Sequence, residues 1–131
     1  MLEFRYRTTV PSDFYFDIPP GQDKILGEVT VSTSIGIPKD LTKNKKVRCD
    51  IIVVVFNKVT DEKDIKIKTK SFFDIVSDVT DIETDTLVKE AAEYCVPISL
   101  EETDKIILRA SEALIGQQIN LQLSSRFEED E

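Results

Sequence analysis

Few residues in this 131-residue sequence are of the types that carry chemistry, and histidine is absent altogether. Without it there is no imidazole general base, no neutral imidazole metal ligand and no triad that depends on one. Two cysteines, Cys49 and Cys95, are too few for a structural zinc site or a secreted disulfide framework. A nucleophilic thiol needs a base to ionise it, and no histidine supplies one. Both cysteines fall on predicted inward faces, where two free core thiols are expected; a disulfide is the alternative, disfavoured in a reducing compartment. Asp78, Asp81, Glu83 and Asp85 lack the glycine and the spaced final glutamate of a calcium loop, and read instead as acidic solvation of a loop and helix start. Any acid–base chemistry would fall to carboxylates such as Asp50 and Asp74, with no glycine-rich loop or metal cage beside them. The expectation is a protein that is not an enzyme and uses no cofactor or metal.

Charge narrows the partners. With 25 acidic and 17 basic residues the net charge is −8, and nucleic acid or an anionic membrane is a poor match. The one basic cluster, Lys39, Lys43, Lys45, Lys46 and Arg48, reads as a solvated loop tip. The longest apolar run is that of residues 51–56, far below the roughly 18 needed to span a bilayer. No basic stretch followed by an apolar run opens the chain, so the cytoplasm is the expected compartment. At 14.9 kDa the whole of residues 1–131 is expected to form one domain with a sizeable core.

Four stretches alternate as strands do. Leu2, Phe4, Tyr6 and Thr8 alternate with Glu3, Arg5 and Arg7, and after Pro11 Phe14, Phe16 and Ile18 alternate with Asp13, Tyr15 and Asp17, up to a turn at Pro19-Pro20-Gly21. Residues 25–37 place Ile25, Val29, Val31, Ile35 and Ile37 on one face and Glu28, Thr30, Ser32 and Ser34 on the other. The third strand, residues 47–59, carries six consecutive apolar residues and so needs cover on both faces. Thr60 to Lys63 reads as a hairpin turn into a fourth strand with Ile65, Ile67, Phe73 and Ile75 on its odd face. The period then changes. Leu87, Val88, Ala91, Ala92 and Cys95 form a helical stripe capped by Thr84 or Asp85 and ended by Pro97. A capping box from Ser99 to Glu102 opens a second helix, and Gly116 sits where a C-terminal glycine belongs. Ile119, Leu121 and Leu123 alternate once more. The predicted fold class is α+β: an antiparallel sheet of four or more strands with two helices packed on one face.

Ile52, Val54, Phe56, Phe72 and Val76 fall on the sheet face opposite the predicted helices. They form either a surface for an oligomer contact or an apolar polypeptide, or a patch the N-terminal strands fold over.

From Cys95 onward the sequence resembles SecB, the tetrameric protein-export chaperone family. Glu93-Tyr94-Cys95-Val96-Pro97-Ile98-Ser99-Leu100 is similar to the family's Tyr-Cys-Pro-x-Ile-x-Phe segment, and Gln118-Ile119-Asn120-Leu121 to its Pro-Gln-Leu-Asn-Leu. Phe73-Asp74-Ile75 resembles its Phe-Ser-Ile, while Glu28 to Val31 and Ile51 to Val55 fall where its second and third strands do. The departures are Leu100-Glu101-Glu102-Thr103-Asp104 in place of Phe-Pro-Tyr-Ala-Arg, and Phe127 to Glu131 where the family has a second long helix.

The resemblance implies a non-catalytic chaperone for unfolded or extended polypeptides, preprotein or antitoxin-type clients. It also implies a homodimer or homotetramer paired through strand edges, and an export motor ATPase as a further partner. Client contact is expected at Ile52, Val54, Phe56 and Phe72, with Tyr94, Ile98 and Leu100 around the break between the helices. The acidic balance would favour basic clients. A small adaptor with one folded partner is the alternative.

Overall fold

The computed structural model describes residues 2–16, 27–57, 63–116 and 118–124. Four strands, β1 (Phe4–Phe16), β2 (Gly27–Gly36), β3 (Lys46–Asn57) and β4 (Lys63–Ile75), precede one helix, α1 (Thr84–Ile115). Every neighbouring pair is antiparallel, in the order β1-β4-β3-β2. The alternation in β3 and β4 sets the core: Val47, Cys49, Ile51, Val53 and Val55 on one strand, and Ile65, Ile67, Phe73 and Ile75 on the other, are buried. Helix α1 lies over that face with Leu87, Ala91, Cys95, Leu100 and Ile107 turned inward.

Two hydroxyls interrupt the apolar row on β4, and both are satisfied. Thr69 Oγ1 meets Thr103 Oγ1 of the helix at 2.8 Å, and the Thr103 hydroxyl donates to the Ser99 carbonyl at 2.7 Å. Ser71 Oγ meets Thr9 Oγ1 at 2.7 Å, and the Tyr6 hydroxyl donates to Thr9. Buried hydroxyls without such partners would be destabilising.

The helical region differs from expectation. Residues 84–115 form one continuous helix of 32 residues, about 48 Å long at 1.5 Å per residue, with Pro97 inside it. Proline removes one intrahelical hydrogen bond, whose acceptor would be the carbonyl of Glu93. Glu93 and Pro97 are both exposed, so water can serve that carbonyl. The flanking Val96, Ser99 and Leu100 are buried against the sheet, and this packing holds the two halves in one rod. Ser99 is accordingly an interior helical residue and not a cap. The N-cap is Glu83, in extended conformation with no side-chain capping bond, in place of Thr84 or Asp85. Gly116 does end the helix, at φ 74°, a left-handed conformation that suits glycine.

Strand β1 is continuous through Pro11, with register shifts between Tyr6 and Thr8 and between Pro11 and Asp13. A proline is tolerated there because β1 is an edge strand. Ile119, Leu121 and Leu123 are buried as their alternation suggests, yet they form no strand. Side chains hold their backbone to the helix: Ser111 Oγ accepts from the Ile119 N–H, and Asp104 Oδ2 from the Leu123 N–H, both at 2.9 Å. The turns expected at residues 19–21 and 60–63 lie largely outside the described residues.

Both cysteines are free and buried. Burial pushes the Cys95 thiol up to about 12 and raises that of Cys49, which faces the Ser99 hydroxyl and lies beside Asp50. A thiol that ionises later when folded leaves the unfolded chain with fewer protons above its ordinary pKa of 9.0. The stability that Cys95 contributes is therefore fully present below about pH 9 and declines toward about pH 12, by up to about 1.4 kcal/mol per pH unit, and Cys49 acts in the same direction. Urea midpoints at about pH 8 and about pH 10 should fall further for the native sequence than for Cys95→Ala. Equal falls in the two proteins would contradict this.

Candidate functional site

The face of the sheet turned away from α1 has no cover among the described residues. Strand β1 extends the sheet at its edge beside β4, so the N-terminal strand does not fold over the patch. Ile52, Val54 and Phe56 of β3 lie on this open face, each half-buried. On β2 they face Ser32, Thr30 and Glu28; on β4, Lys68 and Lys66 stand opposite Ile52 and Val54. The lysine stems flank the apolar row and leave Lys66, Lys68 and Lys70 themselves half-buried.

Phe72, 37% exposed, shares this face but not this end of it. Its β3 neighbour is Arg48, eight residues before Phe56, so the two aromatics are about 26 Å apart along the strands. Arg48 and Asp50 lie between, paired at 3.1 Å. The sequence pattern suggested one contiguous group; the register makes a track with an apolar stripe at one end and one aromatic ring at the other. Val76, 44% exposed, follows the end of β4.

The remaining predicted residues lie on the helix side. Tyr94 is exposed at its edge, while its ring stacks on Phe4 at 5.4 Å and meets Phe73 edge-on at 6.2 Å. Ile98 is half-buried against the core. Leu100 is 2% exposed, a core residue with no surface to offer a client. The break in the helix that was to expose it does not exist.

The two carboxylates singled out in the sequence, Asp50 and Asp74, are not brought together. Asp74 binds Arg5 and Arg7 at 3.6 and 3.3 Å. Asp50 pairs with Arg48 and lies four residues away from Asp74 in register, about 13 Å along the strands. A pair of cooperating carboxylates needs less than about 10 Å. Among the described residues no cluster of three or more Asp, Glu or Cys side chains could hold a metal ion. Among the described residues no helix is long and apolar enough to cross a membrane. A groove between the second half of α1 and residues 120–122 is lined by Glu101, Asp104, Lys105, Arg109 and Asn120. Its Lys105 is engaged by Glu101 and Glu102, and Asp104 by Leu123.

Charge is divided between the two sides, which composition could not show. Helix α1 carries seven acidic and three basic residues. The open face carries Arg5, Arg7, Lys46, Arg48, Lys66, Lys68 and Lys70 against Asp13, Glu28, Asp50 and Asp74. An acidic chain thus presents a basic face.

The order of strands, the helix laid over one face and the bare opposite face can be compared with known structures. The chain superposes on the Mycobacterium tuberculosis Rv1957 SecB-like chaperone in complex with a ChAD peptide from the Rv1956 HigA1 antitoxin, with a TM-score of 0.64. The fold is SecB-like. The match covers 92% of this chain and 86% of that one at 9% identity, so the SecB-like likeness is one of backbone architecture. A protein of unknown function from Streptococcus agalactiae is similar over 92% of this chain and 98% of that one, with a TM-score of 0.44 and 14% identity. No family model and no curated protein matches the sequence. Residues 84–115 of this SecB-like architecture form one long helix where the periodicity and Pro97 suggest two.

Proposed function

We propose that this chain is a non-catalytic chaperone that holds extended polypeptide segments against the open face of its sheet. The observation that carries the reading is the uncovered face, with Ile52, Val54 and Phe56 in a row and Phe72 farther along the same track. The SecB-like fold supports it, because the structure it resembles is of a chaperone in complex with a peptide. Affinity would come from burying apolar side chains, at roughly 25 cal/mol per Å². The same reading places the protein in the cytoplasm, as a homodimer or homotetramer joined through strand edges, with an export motor ATPase as a further partner. Tyr94 and Ile98 are secondary contacts at most, being on the opposite side of the sheet.

The test is fluorescence anisotropy of a permanently unfolded, labelled polypeptide titrated with the protein, the folded form of that polypeptide serving as control. Saturable binding of the unfolded chain alone is expected. Absence of binding at tens of micromolar, roughly −6 kcal/mol, would reject the reading and favour an adaptor with one folded partner.

A further inference from the structure

We infer that the segments taken by the open face are acidic: extended polypeptides in which Asp or Glu accompanies bulky apolar residues. This rests on the function proposed above and names its client class. Lys66, Lys68 and Lys70 project from alternate positions of β4, about 7 Å apart, and all three reach the open face. Next to them on β3, one strand spacing or about 4.8 Å away, Val54 faces Lys66, Ile52 faces Lys68 and Asp50 faces Lys70, with Phe56 beyond Val54 in the same row. A segment lying along the strands directs alternate side chains at this surface, at the same spacing as the lysines. Carboxylates on it would meet the ammonium groups while neighbouring apolar side chains met β3.

The charges available are set by what is already paired. Lys66 is held by Asp13 at 3.4 Å, Arg48 by Asp50, and Arg5 and Arg7 share Asp74. Lys68 and Lys70 have no acidic partner within ion-pair distance among the described residues. Each stands in register between one apolar and one acidic residue, Lys68 between Ile52 and Asp13 and Lys70 between Val10 and Asp50. Those carboxylates are engaged by Lys66 and Arg48, and a half-buried charge interacts more strongly than one in open water. A basic segment would bring like charges onto these two lysines and would be repelled. The client preference expected from net charge alone is thereby reversed: among the described residues the acidic surplus lies on the helix and the loop before it, and the face with the apolar track is basic.

Two labelled peptides of equal length, with the same Phe and Leu residues interleaved with Glu in one and Lys in the other, provide the test. The Glu peptide should bind at least tenfold more tightly at low salt, and the difference should shrink as salt is raised. The double variant Lys68→Glu, Lys70→Glu should reduce or invert the ratio. Lys68→Gln with Lys70→Gln, which keeps much of each aliphatic stem, should narrow it even if the first variant fails to fold. Equal affinity for the two peptides, or a ratio unchanged in the Gln variant, would overturn the charge preference while leaving the chaperone reading intact. No binding of either peptide would overturn both.

Discussion

Replacing Phe56 and Phe72 together with Ser is expected to weaken capture of an unfolded polypeptide by tenfold to a hundredfold, about 1.4 to 2.8 kcal/mol. The two rings lie at opposite ends of a track about 26 Å long, which an extended segment of roughly eight residues spans. Aromatic side chains carry a disproportionate share of binding energy at such surfaces, and serine removes the apolar area without adding charge. Phe56 is half-buried and Phe72 37% exposed, so each change should cost only about 1 kcal/mol of folding stability. Anisotropy titration and urea unfolding on the same samples separate the two effects. A double variant that unfolds outright would show these rings to be core. One that folds and binds like the parent would remove them from the client surface. Single variants add a distinction: a short client should lose affinity with only one of the two changes.

Phe73→Ala, one residue from Phe72, should remove about 3 to 5 kcal/mol of stability. Domains of this size are stable by about 5 to 15 kcal/mol, so the variant is expected to be marginal or unfolded. Phe73 is 1% exposed; its ring lies 5.4 Å from that of Tyr6 and 6.2 Å from that of Tyr94, linking an edge strand and the helix through one side chain. Truncation leaves a cavity with three elements around it, none of which can close in without moving the others. Phe72→Ala has no such neighbours on the helix side and should shift the urea midpoint little. Comparable losses from the two variants would contradict the assignment of these residues to opposite faces.

The part of this structure legible from the sequence follows from strand periodicity. A period of two is a local property, so Ile51, Val53, Val55, Ile65 and Ile67 could be assigned to one face, and they are all buried. The αL conformation at Gly116 was legible for the same reason, since only a few residues around a helix end decide it. Pro97 misled because its local cost is certain while the compensation is not local. Val96, Ser99 and Leu100 pack on the sheet, and the Thr103 hydroxyl donates to the Ser99 carbonyl, interactions with no signature in sequence spacing. Alternation in Ile119, Leu121 and Leu123 likewise signalled one buried side but could not say what would receive the backbone hydrogen bonds.

By itself, then, the sequence determined the buried rows of β3 and β4, the strand-then-helix order and the absence of histidine, because these depend on residue type and short-range period alone. It did not determine that Leu100 is buried or that Val88 is exposed. Only the tertiary structure decided that, among the described residues, the even-numbered face has no cover, that Phe56 and Phe72 are far apart on it, and that the acidic surplus and the basic row occupy opposite sides. Those properties depend on the β1-β4-β3-β2 order and its register, which bring together residues such as Val10 and Lys70 from distant parts of the chain. Side-chain alternation fixes the face a residue takes but is silent about which strand lies beside it.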